Sequence, residues 1–222
     1  MKTTVIFVEP EYARNIGYVC RVMANFNQKK LVIVNPKCEI SGDAVKYSKH
    51  GKEILKNAKV VDDFEKEIVK YDFIVGSTAI LRRNKGTIRD VLPLKGFVKN
   101  IGEYRGKNIA LLLGREGIGL NENEINNCDV LVSIESSNKY PTLNVSHALA
   151  VILYSISNRK IKNPERIAER GEREMIMKLF KKMAQKSKNP KLAEISFRRI
   201  IGRARIKKKE AVMIIEVLKN NS

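Results

Sequence analysis

The 222-residue chain has no tryptophan, two histidines and three cysteines, and each shortage closes off a class of function. His50 and His147 are too few and too isolated for a metal cluster, so no metal is expected. Cys20, Cys38 and Cys128 are odd in number and lack CxxC spacing, which argues against a disulfide framework and a zinc site. Cys20 falls on an apolar helix face and reads as a small core residue. No apolar run approaches the ~18 residues of a membrane span. The start, Met1–Pro10, is too short and too strand-like for a signal peptide, so a cytoplasmic protein is expected. There is no G-x-S-x-G, and neither histidine sits beside a nucleophile, which sets aside a Ser-His-Asp hydrolase. Gly114, Gly117 and Gly119 fit neither the P-loop spacing nor the G-x-G-x-x-G order. The first strand-to-helix turn, Glu9–Gly17, carries no glycine fingerprint, so a dinucleotide site is not expected.

Positive charge is abundant. The chain holds 43 Lys/Arg against 24 Asp/Glu, a net charge of +19, which points to a polyanionic partner. Residues 161–222 carry 18 Lys/Arg and 7 Asp/Glu, so a short tail holds more than half of the excess. Lys181–Lys209 alone contains 12 basic residues and one acid, Glu194.

Apolar patterning divides the chain in two. Strands are expected at Thr3–Val8, Leu31–Val34, Val60-Val61, Phe73–Val75, Ile109–Leu113 and Val130–Ile134, alternating with helices. Asn15 is placed to cap the first helix, whose apolar face is Ile16, Val19, Cys20, Met23 and Phe26. A helical region over Gly42–Asn57 is interrupted near His50-Gly51. Asp62–Lys70 is a short helix with Phe64, Ile68 and Val69 inward, and Leu94–Tyr104 and Asn144–Ser157 are helical. This alternation implies an α/β fold, a parallel sheet with helices on both faces. Lys160–Pro164 reads as a linker. Beyond it the pattern is helical only, with Met175, Ile176, Leu179, Phe180 and Met183 on one face, then Leu192, Ile195, Ile200 and Ile201, then Val212, Met213, Ile215 and Leu218. Two domains are expected, an α/β body over residues 1–160 and a small basic all-α extension over 161–222.

Three motifs and the tail carry a family resemblance. They are Asn15-Ile16-Gly17 with Arg21, Leu113-Gly114-Arg115-Glu116 with Gly119-Leu120, and Leu143-Asn144 followed by the small-residue helix Val145–Ala150. With Phe197-Arg198-Arg199-Ile200-Ile201-Gly202-Arg203-Ala204-Arg205 and Glu210 in the tail, the chain resembles the SpoU-type methyltransferases of the knotted SPOUT class, within it the TrmJ group of tRNA ribose methyltransferases. The resemblance implies a C-terminal trefoil knot, against the near-absence of knots in proteins generally. It also implies S-adenosyl-L-methionine as cofactor, a homodimer that completes the site, and tRNA as partner. Carried over by position, the cofactor-binding residues are Ser77, Thr78, Ala79, Gly114, Ile134, Pro141, Thr142 and Leu143. Arg21 matches the catalytic residue, and Asn15, Glu116 and Asn144 shape the site. A guanidinium is a hydrogen-bond donor and not a base, so Arg21 is read as a grip on phosphate that stabilises developing alkoxide charge. Arg82, Arg83, Lys85 and Arg89 near the site, with Arg198, Arg199, Arg203 and Arg205 in the tail, are assigned to RNA.

The chain departs from the family pattern at Arg14, where a glycine is usual, and at Pro141-Thr142, where Ser-Ser is often found. Arg14 is open to two readings, a phosphate contact or a solvated side chain. The function expected from the resemblance is tRNA ribose 2′-O-methylation at the first anticodon-loop nucleotide, on cytidine or on uridine as well. The alternatives are a methyltransferase of ribosomal RNA and a non-catalytic RNA-binding relative. The tail argues against the first, and the intact Arg21, Glu116 and Asn144 argue against the second.

Overall fold

A computed structural model describes residues 2–79, 91–104, 106–137, 139–157 and 167–220. Seven strands form one sheet: β1 (Lys2–Val8), β2 (Lys30–Val34), β3 (Lys59–Val61), β4 (Phe73–Ser77), β5 (Val91–Pro93), β6 (Asn108–Leu113) and β7 (Val130–Ser133). Their spatial order is β3-β2-β1-β6-β4-β7-β5, and every pairing is parallel. β6 lies between β1 and β4 and is apolar on both faces, as a central parallel strand must be.

Alternate residues of each strand face opposite layers. Val5, Phe7, Ile33, Val75, Leu111 and Val132 share one core with α1 (Ala13–Asn25), α5 (Leu94–Asn100) and α7 (Val145–Ser157). Ile6, Val32, Ile74, Leu112 and Leu131 face the other way, against α4 (Phe64–Ile68) and α6 (Glu122–Asn126). α2 (Gly42–Ser48) and α3 (Lys52–Lys56) flank α1, with a 3-10 turn at Lys49–Gly51 between them where the interruption was expected. Cys20 is fully buried on the α1 face, as its place in the apolar pattern implied.

Three helices follow residue 167: α8 (Arg170–Ala184), α9 (Pro190–Ala204) and α10 (Lys208–Asn220). Their small core comprises Ala168, Ile176, Met177, Ile201, Ile206 and Ala211. They dock on the sheet through arginines. Arg173 pairs with Asp129 at 3.0 Å and donates to the Asp72 carbonyl, while its guanidinium lies 5.0 Å from the Phe73 ring centroid. Arg170 donates to the carbonyls of Ile68 and Tyr71. Gly202 abuts the chain at Asp129; a Cβ there would fall 2.1 Å from the Asp129 carbonyl oxygen. Asp72 and Asp129 immediately precede β4 and β7, so the helices sit at the amino ends of these strands.

Several expectations are corrected. Asn15 does not cap α1; the helix starts two residues earlier and Asn15 is buried inside its first turns. Val69 is exposed, because α4 ends at Ile68. In the tail, Met175, Leu192, Ile200, Val212 and Met213 face solvent. Three short helices enclose too little volume to bury every apolar position, and the buried stripe of α8 runs through Met177 in place of Met175. β5 was not anticipated; its three residues include Pro93, which only a sheet edge tolerates. The expected linker at Lys160–Pro164 lies outside the described residues.

Candidate active site

Three neighbouring strands, β4, β6 and β7, end in loops that wall one cavity of about 330 Å³. This is the crevice at the carboxyl ends of strands where open α/β sheets hold ligands. Ser77, Thr78 and Ala79 leave β4, Gly114 leaves β6, and Ile134, Pro141, Thr142 and Leu143 leave β7; all eight line the cavity. The loops are tied to the strands they serve. Ser77 Oγ donates to the Leu112 carbonyl (3.0 Å), and the Thr78 N–H donates to the Val132 carbonyl (2.9 Å).

The β6 loop closes on itself. Paired backbone hydrogen bonds link Arg115 and Gly119 at 3.2 and 3.0 Å. Gly114 makes this closure sterically feasible, since a Cβ there would lie 2.2 Å from the Gly119 carbonyl carbon. Arg115, quoted in the second motif but given no role there, is the loop's anchor. It makes two 2.9 Å bonds to the Glu124 carboxylate and one of 2.8 Å to Glu9. Hydrogen bonds donated to Glu124 foremost, then to Glu9, raise the Arg115 pKa. Burial would raise the pKa of Glu9, but bonds from Arg115, Lys37 and Asn35 outweigh it and hold the carboxyl below its ordinary value. α7 adds Val145, Ala148 and Ile152 to the wall, and only its small-residue character hinted at that.

Three of the predicted catalytic residues meet at the cavity's side. Asn15 is 4% exposed; its Nδ2 donates to Glu116 Oε1 (2.9 Å), and its Oδ1 accepts from Asn144 Nδ2 (3.3 Å). Glu116, itself a lining residue, also accepts the N–H groups of Glu11 (2.9 Å) and Tyr12 (3.4 Å). Asn144 Oδ1 accepts from the Ser146 N–H and hydroxyl at the start of α7. The network thus joins α1, the β6 loop and α7. Arg21 is on α1 but does not line the cavity; it is exposed and has no hydrogen-bond or ion-pair partner among the described residues. Arg14 is exposed, with its guanidinium 5.3 Å from the Tyr12 ring centroid.

The cations assigned to RNA fare unevenly. Arg82, Arg83, Lys85 and Arg89 lie outside the described residues. Arg199 is a correction. It is 7% exposed and donates to Asn126 Oδ1 (3.3 Å), so it serves docking of α9 and is not presented to phosphate. Arg198, Arg203 and Arg205 are half-buried. Among the described residues the exposed tail cations are lysines, such as Lys181, Lys182, Lys186, Lys188, Lys208 and Lys209. Among the described residues no group of three or more His, Cys, Asp or Glu is arranged to hold a metal, and no helix is long and apolar enough to cross a membrane.

Fold and site together define an α/β protein with one cavity walled by the loops at the ends of adjacent parallel strands. The chain belongs to the SpoU rRNA Methylase family, which it matches over residues 2–154. It is 36% identical to the tRNA (cytidine-2′-O-)-methyltransferase TrmJ of Methanocaldococcus jannaschii, over 97% of this chain and 98% of that one. Among solved structures, TrmJ from Z. mobilis ZM4 is similar in fold, with a TM-score of 0.73, 20% identity and 98% of each chain covered. The SpoU methyltransferase AviRb from Streptomyces viridochromogenes, solved with AdoMet, is similar with a TM-score of 0.56 and 20% identity, over 69% of this chain and 58% of that one.

Proposed function

We propose that the protein is an S-adenosyl-L-methionine-dependent tRNA ribose 2′-O-methyltransferase of the cytoplasm. The observation that carries the reading is the convergence of eight loop residues, far apart in sequence, on one cavity flanked by the Asn15–Glu116–Asn144 network. The cavity suits the cofactor. Its volume is at the scale of small-molecule sites. Ile134, Leu120, Val132 and Ile152 offer apolar contact, and Gly114 lets the β6 loop close tightly beside the cavity. S-adenosyl-L-methionine, when bound, supplies a methyl group activated on a sulfonium.

The chain's own residues then have to hold and orient the RNA, because alignment of the 2′-hydroxyl supplies much of the rate. Arg21 grips the adjacent phosphate and stabilises charge developing on the hydroxyl oxygen, and the proton leaves to phosphate or water. Arg21 does not line the cavity of its own chain, which supports completion of the site by a second copy in a homodimer. Asn15, Glu116 and Asn144 tie α1, which also carries Arg21, to the β6 loop and the start of α7. The division into a methyltransferase domain over 1–160 and an RNA-binding extension over 161–222 fits the separate tail core. A trefoil knot in the segment from β6 to α7 fits the placement of β7 between β4 and β5. The likeness to the M. jannaschii enzyme over nearly its whole length favours tRNA, and the motif resemblance adds the first anticodon-loop nucleotide as the proposed target.

Mapping 2′-O-methylation on tRNA and ribosomal RNA incubated with protein and donor tests this directly. Methyl groups on ribosomal RNA alone would overturn the substrate, and no donor binding by calorimetry would overturn the enzyme. In single-turnover assays Arg21→Ala is expected to lose at least about a hundredfold in rate, the scale of removing one oxyanion donor. Near-normal transfer by Arg21→Ala would remove Arg21 from the mechanism.

A further inference from the structure

Tyr12 occupies the boundary position before α1, where Ser, Thr, Asp or Asn ordinarily satisfies the first free amides. Its side chain makes no such bond. Glu116 reaches this end of the helix from the β6 loop instead, accepting the N–H groups of Glu11 and Tyr12. Helix stability therefore gives no reason for an aromatic ring at this position. The core gives none either, because Tyr12 is 49% exposed. The guanidinium of Arg14 lies over the ring at 5.3 Å from its centroid, a cation–π contact that restrains the ring.

That same Glu116 accepts from the Tyr12 backbone N–H and lines the cavity, so the residue that carries the ring is tied to the cavity's wall. Two more large apolar side chains belong to the cavity's loops and stand in solvent. Ile118 of the β6 loop is 76% exposed, and Tyr140, next to the lining residue Pro141, is 77% exposed. A single exposed apolar residue needs no explanation, but Ile118 lines the cavity, Tyr140 adjoins a lining residue and Tyr12 is bonded through its backbone to another, so exposed apolar side chains recur around the cavity's edge.

The geometry points to Tyr12, backed by Arg14, as the platform on which the base of the methylated nucleotide stacks. This rests on the methyltransferase reading above. Proteins that act on unpaired nucleotides take splayed bases onto aromatic rings or guanidinium planes. Such stacking accepts any base, because every base has a π face. Tyr12 thus holds the nucleotide without selecting it, and Arg14 resolves as ring support with donors left for a flanking phosphate.

The test uses the full chain and a tRNA anticodon stem-loop carrying the fluorescent cytidine analogue pyrrolocytosine at the methylated position. Binding to the wild-type protein is expected to quench the fluorophore. Tyr12→Phe keeps the quench and stays within about twofold of the wild-type single-turnover rate on unlabelled RNA, since the ring and not the hydroxyl stacks. Tyr12→Leu and Tyr12→Ala lose the quench and about tenfold or more in rate at subsaturating RNA. Their donor affinity is unchanged by calorimetry, because Tyr12 does not line the cavity. A Tyr12→Leu variant that quenches and reacts like wild type overturns the platform, and so does one whose donor affinity falls together with the quench. If wild-type protein transfers no methyl group to any tRNA, the methyltransferase reading fails, and fails separately from the platform.

Discussion

The carboxamide of Asn15 has a carboxylate on one side and a second carboxamide on the other, in a place with almost no water. Its donor faces Glu116 and its acceptor faces Asn144, so the side chain is matched at both ends. Asn15→Asp would set a second carboxylate against Glu116 with the shape unchanged. We expect a loss of about 2–4 kcal/mol in urea unfolding and of donor binding at neutral pH, because a buried charge without its donor costs more than a deleted side chain. Asn15→Ala should cost about 1–3 kcal/mol, the lower value reflecting that it adds no charge. An Asp variant no worse than the Ala variant would show that Glu116 does not need the donor. Glu67 supplies a pH prediction. Burial would raise its pKa, but Lys59, Lys70 and the Tyr71 hydroxyl all donate to it and hold it below the ordinary value of 4.5. A carboxyl depressed on folding stabilises the protein above its unfolded value, and the contribution is lost as pH falls through the folded value. Melting temperature should therefore decline below about pH 4.5, the ordinary value, and Glu67→Gln should flatten that decline while lowering stability at pH 7. A decline of equal steepness in Glu67→Gln would assign it to other carboxylates.

Elements show how chain-distant residues build one wall. β4, β6 and β7 end side by side, so three loops separated by dozens of residues share a cavity. The loop after β6 is the least adjustable of them, closed by the Arg115–Gly119 pair and clamped to Glu124. Gly114→Ala places a methyl group 2.2 Å from backbone, so the loop must open. Donor affinity should fall at least about tenfold with little change in tRNA affinity, since an overpacked site costs about 1–3 kcal/mol. Equal affinities by calorimetry would mean that this loop does not contact the donor. The strands and major helices were legible in sequence because apolar periodicity is a local signal, and the apolar run of β6 marked it as central. The cavity was legible only through family motifs, since no spacing rule pairs Asn15 with Glu116 across 101 residues. The anchoring role of Arg115, a residue of the second motif, was not legible for the same reason. Its partners Glu9 and Glu124 lie on different elements, and the residue looks like any surface arginine beside a glycine. β5 was too short to show a period, and the tail's outward apolar residues were misread because neighbouring stripes on a short helix satisfy the same spacing.

For the whole molecule, the decisive relation is between two ends of one sheet. The cavity lies beyond the carboxyl ends of β4, β6 and β7, while α8 and α9 grip the amino ends of β4 and β7 through Arg170, Arg173 and Gly202. A five-residue strand such as β4 separates these ends by roughly 15 Å. On the proposed reading, the exposed tail lysines would hold tRNA at a distance from the reacting ribose of their own chain, or beside the cavity of a second copy. Either way, the docking of the tail matters as much as its charge. Gly202→Val tests this, because the added Cβ meets the Asp129 carbonyl oxygen at 2.1 Å and must push α9 off the sheet. Removal of residues 161–222 takes away 18 of the 43 cations, so tRNA binding should weaken and its log–log salt slope should fall by about 0.7–0.9 for each phosphate no longer neutralised. Gly202→Val keeps every cation. It should leave donor affinity unchanged, and tRNA affinity should fall between those of wild type and the truncated chain, with a salt slope near wild type. Limited proteolysis would register the undocking as faster cleavage within α9. Wild-type tRNA affinity in an undocked Gly202→Val protein would show that the tail works as a tethered polycation, and that the arginine clamp on Asp72 and Asp129 serves stability alone.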